Sequence, residues 1–245
     1  MMEPIQVAWS IPLAVDAWVS TRAGGVSTGA YQSLNLATHV GDDDAAVQEN
    51  RRRLQAHLGI DVPITWMSQV HGTQVATPDQ GPICADAVYS NQPGQVCAVL
   101  TADCLPILLC NHQGTEVAAV HAGWRGLAAG VLEAALVKFH TPAQHLYAWL
   151  GPAIGPESFE VGSDVRDAFI RGDEQSVAAF VPGGGAGRYY ADLYALARIR
   201  LRRAGVLEVS GGGWCTVRET ERFFSYRRDG VTGRMASLIR VRSKA

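Results

Sequence analysis

Charge is scarce in this sequence. Asp, Glu, Lys and Arg make up 18% of its 245 residues, and the net charge is −2. There is no basic surplus to neutralise phosphates or anionic headgroups, so binding to nucleic acid or a lipid surface is not expected. Long apolar runs are missing too. The longest, Val96–Cys110, is interrupted by Asp103 and Pro106 and is too short to span a bilayer. The opening Met1–Gln6 has no positive segment ahead of an apolar one. Five cysteines form an odd set without scaffold spacing, which fits a reducing compartment. The expectation is a cytoplasmic protein that does not engage membranes.

What is present suffices for a substantial core. Apolar residues reach 47%. No internal repeat and no long linker divides the chain, so residues 1–245 read as one domain. Val7–Ser10 and Ala17–Thr21 read as short strands, and Gly24–Gly29 as a loop. Asp42–Asp44 offer a cap for a helix running to Leu58, with Gly59 closing it. Ile64–Val70, Gln95–Leu100, Pro106–Cys110, Glu116–Val120 and Leu146–Leu150 read as strands. Helices are expected from Gly126 to Phe139, from a Ser163 cap to Phe169, and from an Asp192 cap to Ala204. Pro182–Gly187 reads as a loop, and Phe223–Arg227 with Met235–Val241 as a hairpin around Asp229-Gly230. The pattern fits an α/β or α+β domain with mixed sheets, two sheet layers deep, and helices outside.

Chemistry concentrates at His71, Cys104 and His121. They lie in Ser68-Gln69-Val70-His71-Gly72, Thr101-Ala102-Asp103-Cys104-Leu105-Pro106 and His121-Ala122-Gly123-Trp124-Arg125-Gly126. Each adjoins a Gly or Pro turn signal. Two imidazoles and a thiol suit an open metal site, with a fourth position for water or substrate, as in catalytic zinc. The same residues also suit a thiolate–imidazole nucleophile pair. Cys104 and His121 each sit at a strand end, where neighbouring strands can bring them together.

Arg22, Asn35, Arg125, Tyr226 and Arg227 are candidate pocket residues. Read singly, each is a surface charge or a turn hydrogen bond. Read as a set, an arginine fork suits phosphate or carboxylate. Asp103 is placed beside a ligand, where it either orients an imidazole or shapes a turn. Cys97 and Cys110 read as core, Cys84 and Cys215 as structural. His39, His57, His112, His140 and His145 read as solvated surface.

Thr21–Ser27, Ser33–Leu36, Ser68–Gly72, Ala85-Asp86-Ala87, Thr101–Ile107, His121–Gly126, Gly151–Gly155 and Phe224–Asp229 together resemble the YfiH family, also called laccase-domain or polyphenol oxidoreductase proteins. The resemblance covers nearly the whole chain in order. It implies a single domain with sheets sandwiched between helices, similar to the catalytic domain of a bacterial cytotoxic necrotising deamidase. It implies zinc held by His71, Cys104 and His121. Members are described as phosphorylases of adenosine, inosine and methylthioadenosine, as adenosine deaminases, as laccases, and as peptidoglycan editing factors.

Ligand supply weighs against laccase chemistry and leaves phosphorolysis, deamination and amide cleavage open. Laccase chemistry needs a copper cluster and a separate blue-copper centre, more imidazoles than seven mostly unclustered histidines provide. Zinc instead activates water near neutral pH. Deamination of adenosine also wants a carboxylate shuttle, for which Asp103 is the adjacent candidate. Phosphorolysis needs an anion site, for which Arg22 and Arg125 are candidates. Amide cleavage needs an activated nucleophile such as Cys104. The expected protein is a zinc-dependent purine nucleoside phosphorylase with adenosine deaminase side activity, its partners a purine nucleoside and phosphate. The alternatives are an amidase acting on a cell-wall precursor, a phenol oxidase, and a non-catalytic metal- or nucleotide-binding protein. An oligomeric state is not readable from the sequence.

Overall fold

The apolar runs of the sequence become strands covered on both faces. The computed structural model describes residues 3–7, 9, 12–80 and 83–243. In chain order its elements begin with β1 (Ile5–Gln6), β2 (Val15–Val19), α1 (Asp44–Leu58), β3 (Val75–Ala76) and β4 (Ala87–Ser90). Then come β5 (Val96–Thr101), β6 (Leu105–Asn111), β7 (Val117–Ala122), α2 (Trp124–Ala129), α3 (Val131–Leu136) and β8 (Leu146–Leu150). The last third holds β9 (Glu160–Gly162), α4 (Ser163–Ile170), β10 (Phe180–Pro182), β11 (Arg188–Ala191), α5 (Leu193–Arg203), β12 (Glu208–Gly211), α6 (Tyr226–Asp229) and β13 (Met235–Val241).

Two sheets stack. One has the order β1-β2-β13-β5, the other the mixed order β12-β8-β6-β7-β4-β3. Alternate residues of each strand enter different cores, because side chains alternate across a strand. Cys97, Val99, Ile239, Val15 and Ala17 meet Leu108, Cys110, Val117 and Ala119 between the sheets. Val96, Ala98, Leu100 and Leu238 face outward onto Leu54 of α1. Ile107, Leu109, Val120 and Leu150 face outward onto Leu127, Val131, Leu196 and Leu201 of α2, α3 and α5. This is the expected layering of two sheets with helices outside. A small third sheet, β10-β11-β9, lies beside α4.

Local chemistry sets the helix ends. Asp43 caps α1 by accepting from the Ala46 N–H at 2.8 Å, and Gly59 closes it at φ +61°. Asp192 caps α5 through the Ala195 N–H at 3.0 Å. The expected helix over 126–139 is two helices, broken at Gly130 with φ +104°. Ser163 is the first residue of α4 and Gly162 occupies the cap position.

Three strand expectations are corrected. The first strand is Ile5–Gln6, not Val7–Ser10, and Ala8 and Ser10 of that expectation lie outside the described residues. Ile64–Val70 forms a single bridge, Ser68 to Cys84. Its Gln69 amide instead donates to Leu100 O and accepts from Leu100 N–H, both at 2.7 Å, capping the open edge of β5. The 223–241 hairpin is absent, since Ser225 Oγ accepts from the Arg228 N–H and nucleates α6, while β13 inserts between β2 and β5.

No helix among the described residues is long and apolar enough to cross a membrane.

Candidate active site

Strand register brings the three chemical residues together. In the antiparallel β6–β7 pair, Leu105 lies opposite Ala122 and Pro106 opposite His121. Continuing that register sets Cys104, just before β6, beside Gly123, just after β7. His71 arrives from the turn that follows the Gln69 clamp, with a left-handed φ of +62°. Its Nε2 stands 3.7 Å from Cys104 Sγ. The His71 and His121 rings are 4.8 Å apart between centroids, nearly edge to face at 71°. All three donor atoms fall within 4.8 Å of one another.

The carboxylate that organises this group is Asp86, fully buried just before β4. One oxygen accepts from the His71 N–H at 2.9 Å and meets His121 Nδ1 at 2.8 Å. The other accepts from the N–H groups of Val70 and Gly72 at 3.2 and 2.7 Å. One side chain therefore shapes the left-handed turn of His71 and fixes the His121 ring. Nδ1–H of His121 points at the carboxylate, so Nε2 is left to face Cys104. Sequence reasoning did not single out Asp86 as a site residue. Its signal was a lone acid between two alanines, where an unpaired charge has no reason to be.

Electrostatics follow from this packing. Burial alone pushes the Cys104 thiol up, but His121 and His71 overcome it and bring it to about 6. Burial opposes charge on His121, yet the Cys104 thiolate and Asp86 raise it to about 9. At neutral pH the sulfur is a thiolate, the form that binds metals and attacks electrophiles.

The donor set fits a metal ion. Zinc–nitrogen bonds of about 2.0–2.1 Å and zinc–sulfur bonds of about 2.3 Å imply nitrogen-to-sulfur separations of about 3.6 Å in a tetrahedron. The observed 3.7 Å between His71 and Cys104 is close to that. Gly123 leaves the necessary room. A Cβ there would lie 2.6 Å from His71 Cδ2 and 3.1 Å from Cys104 Sγ. Its φ of −63° suits any residue, so the glycine answers to space and not to backbone strain. Gly123→Ala is accordingly expected to keep the thermal melt while displacing His71. Zinc occupancy should fall, and turnover should drop by about 10²-fold, as a misplacement near 1 Å would cause. Elemental analysis and initial rates check this.

The remaining expected residues are not drawn to this point alike. Asp103 does not orient an imidazole. Its φ of +86° turns the carboxylate away, to Thr216 Oγ1 at 2.5 Å and the Arg227 N–H at 2.7 Å. Asn35 is fully buried and locks its own loop through Ala37, Asp42 and Arg234. Arg22 donates to Gln32 O and Thr220 O. Arg227 donates through Nη1 to Glu160 O and lies 5.4 Å from the Phe159 ring. Tyr226 is exposed on α6. Arg125 is exposed on α2, its guanidinium 4.4 Å over Trp124.

A family model described as multi-copper polyphenol oxidoreductase laccase matches residues 16–242. The chain belongs to this laccase-domain family. Purine nucleoside phosphorylase YfiH of Escherichia coli strain K12 is 53% identical over 242 residues, covering 98% of this chain and 99% of that protein. A purine nucleoside phosphorylase of Pseudomonas aeruginosa is 53% identical over 232 residues, covering 94% and 95%. A crystal structure of a Neisseria meningitidis protein superposes with a TM-score of 0.94 at 49% identity, covering 98% and 99%. The laccase-domain fold expected from the motifs is therefore the fold observed, and the relatives' names are those of enzymes.

Proposed function

We propose that this laccase-domain protein is a zinc-dependent, cytoplasmic purine nucleoside phosphorylase acting on adenosine, inosine and methylthioadenosine, with zinc held by His71, Cys104 and His121. The observation that carries the proposal is the convergence of those three donors, within 4.8 Å, on a corner kept open by Gly123. The names of relatives at 53% identity support the substrate class. In phosphorolysis the C1′–N9 bond breaks and a C1′–O bond to phosphate forms. The proton of hydrogen phosphate passes to the departing purine. Bound zinc supplies Lewis acidity for this chemistry. Asp86 holds His121, and His71 sits exposed at the rim, where a substrate reaches it.

Of the two arginines expected to hold phosphate, Arg22 is engaged with backbone oxygens, whereas the Arg125 side chain makes no hydrogen bond among the described residues. The copper chemistry in the family's description asks for several clustered sites, and among the described residues one group of three donors converges. Asp103 has both oxygens engaged, which leaves adenosine deamination without its expected shuttle.

A second reading rests on a specific arrangement. Asp86, His121 and Cys104 stand in the order orienter, base and nucleophile, and the thiol is at about 6. That order suits an amidase acting on a cell-wall precursor. Incubating zinc-analysed protein with inosine, with and without phosphate, separates the readings. Hypoxanthine released only with phosphate supports phosphorolysis. Amide cleavage in a precursor with no free base assigns the amidase. Zinc and nucleoside binding without turnover of either assigns a binding protein.

A further inference from the structure

The start of β13 carries an arginine that the sequence motifs did not single out. Met235 pairs with Thr101 in the register of β13 and β5, so Arg234 stands beside the Ala102–Cys104 turn. Its backbone N–H donates to Asn35 Oδ1 at 2.9 Å, which fixes its position. Nη1 donates to Thr232 O and Gly233 O at 2.8 and 3.0 Å. The other edge of the guanidinium, Nε with Nη2, makes neither a hydrogen bond nor an ion pair among the described residues. That edge is the one able to form two parallel hydrogen bonds to an oxyanion.

Arg234 is half-buried, 5.9 Å from the Tyr226 ring, and its charge reaches the Cys104 thiol. The nearby Asp103 makes no ion pair with it, its two oxygens serving Thr216 and Arg227, and acts on it only through space. His39, in the loop after β2, lies within electrostatic reach of Arg234. Partial burial first, then Arg234 and Arg51, hold its imidazole below its ordinary value. Arg51 itself is anchored, with Nε on Leu36 O at 2.9 Å and its guanidinium 4.5 Å over Trp66.

We propose that the free edge of Arg234 seats the inorganic phosphate co-substrate next to Cys104. This rests on the phosphorylase reading and adds the anion subsite to it. Phosphate enters on the Arg234 side of the turn, while the nucleoside takes the face toward His71.

The test uses zinc-loaded wild type, Arg234→Gln, Arg234→Lys and Arg125→Gln. Inorganic phosphate binding is measured by calorimetry without nucleoside, and initial rates are measured against phosphate and inosine. Arg234→Gln is expected to weaken phosphate binding and raise the KM for phosphate by about 30-fold or more, the loss expected for one partner of a close charged contact. Its KM for inosine should stay within about twofold of wild type. Arg234→Lys should recover part of the loss. Unchanged phosphate binding and KM in Arg234→Gln overturns the inference, as does a loss confined to Arg125→Gln. If Arg234→Gln does not fold, Arg234→Lys decides, and an unchanged phosphate KM there overturns it. Phosphate bound through Arg234 by a protein that cleaves no nucleoside keeps the subsite and removes the phosphorylase reading. Phosphorolysis with Arg234→Gln unaffected does the reverse.

Discussion

Replacing Cys104 by alanine is expected to abolish zinc retention and turnover together. The sulfur is the one soft donor in a group whose other members are His71 and His121. His121 and His71 overcome its burial and hold the thiol at about 6, so at pH 7 it already carries the charge that a divalent ion requires. Two neutral imidazoles alone make a weak site. Zinc should fall from about one ion per chain to a small fraction, and turnover by about 10³-fold or more, as for loss of a central catalytic group. The fold should tolerate the change. Cys104 is only partly buried, and alanine keeps the backbone, so a shift of about 1 kcal/mol or less is expected in metal-free protein. Elemental analysis, initial rates and melting of chelated samples measure the three quantities. A variant with full zinc and no turnover would transfer the assignment to a cysteine nucleophile. A variant with full turnover would remove Cys104 from the chemistry.

Much of the fold was legible because burial on both faces leaves a plain trace. Strands β5, β6 and β7 are buried along their whole length and apolar except at Thr101, Asn111 and His121, since alternate residues enter two different cores. Helix α1 announced itself through Asp43 and Gly59. What misled was chemistry carried by single side chains. Gln69 replaces a strand pairing with its own amide, so Ile64–Val70 looks like a strand and is not. Ser225 caps a short helix where the pattern predicts a hairpin. In the site, His71, Cys104 and His121 were legible because uncommon reactive residues stood at turns. Asp86 was not, because its task is set by three-dimensional neighbours 14 to 35 positions away. Asp103 misled for the opposite reason. Adjacency in sequence suggested contact with a ligand, but a left-handed backbone aims its carboxylate elsewhere.

Asp86→Asn is expected to damage stability and metal binding at once, although it preserves size. The aspartate accepts from three backbone N–H groups and from His121, two donors on each oxygen. An asparagine has one oxygen, so two donors must face its NH₂ group. Each buried donor left unsatisfied costs about 1–3 kcal/mol, and the lost carboxylate charge adds to this. A destabilisation of about 3–5 kcal/mol is expected, in the range for breaking a buried charged pair. The amide also changes His121. If its NH₂ faces Nδ1, the ring must accept there and carry its proton on Nε2, which closes the nitrogen that faces Cys104. If its oxygen faces Nδ1, the N–H groups of Val70 and Gly72 meet the NH₂ and the His71 turn loosens. Either orientation injures one ligand, so zinc affinity should fall by about 10–100-fold. Denaturant unfolding of chelated protein reads the first effect, and competition with a chromogenic chelator reads the second. Wild-type values in both would show that the turn and the ring hold their positions without Asp86, and the convergence of His71 and His121 would then need another cause.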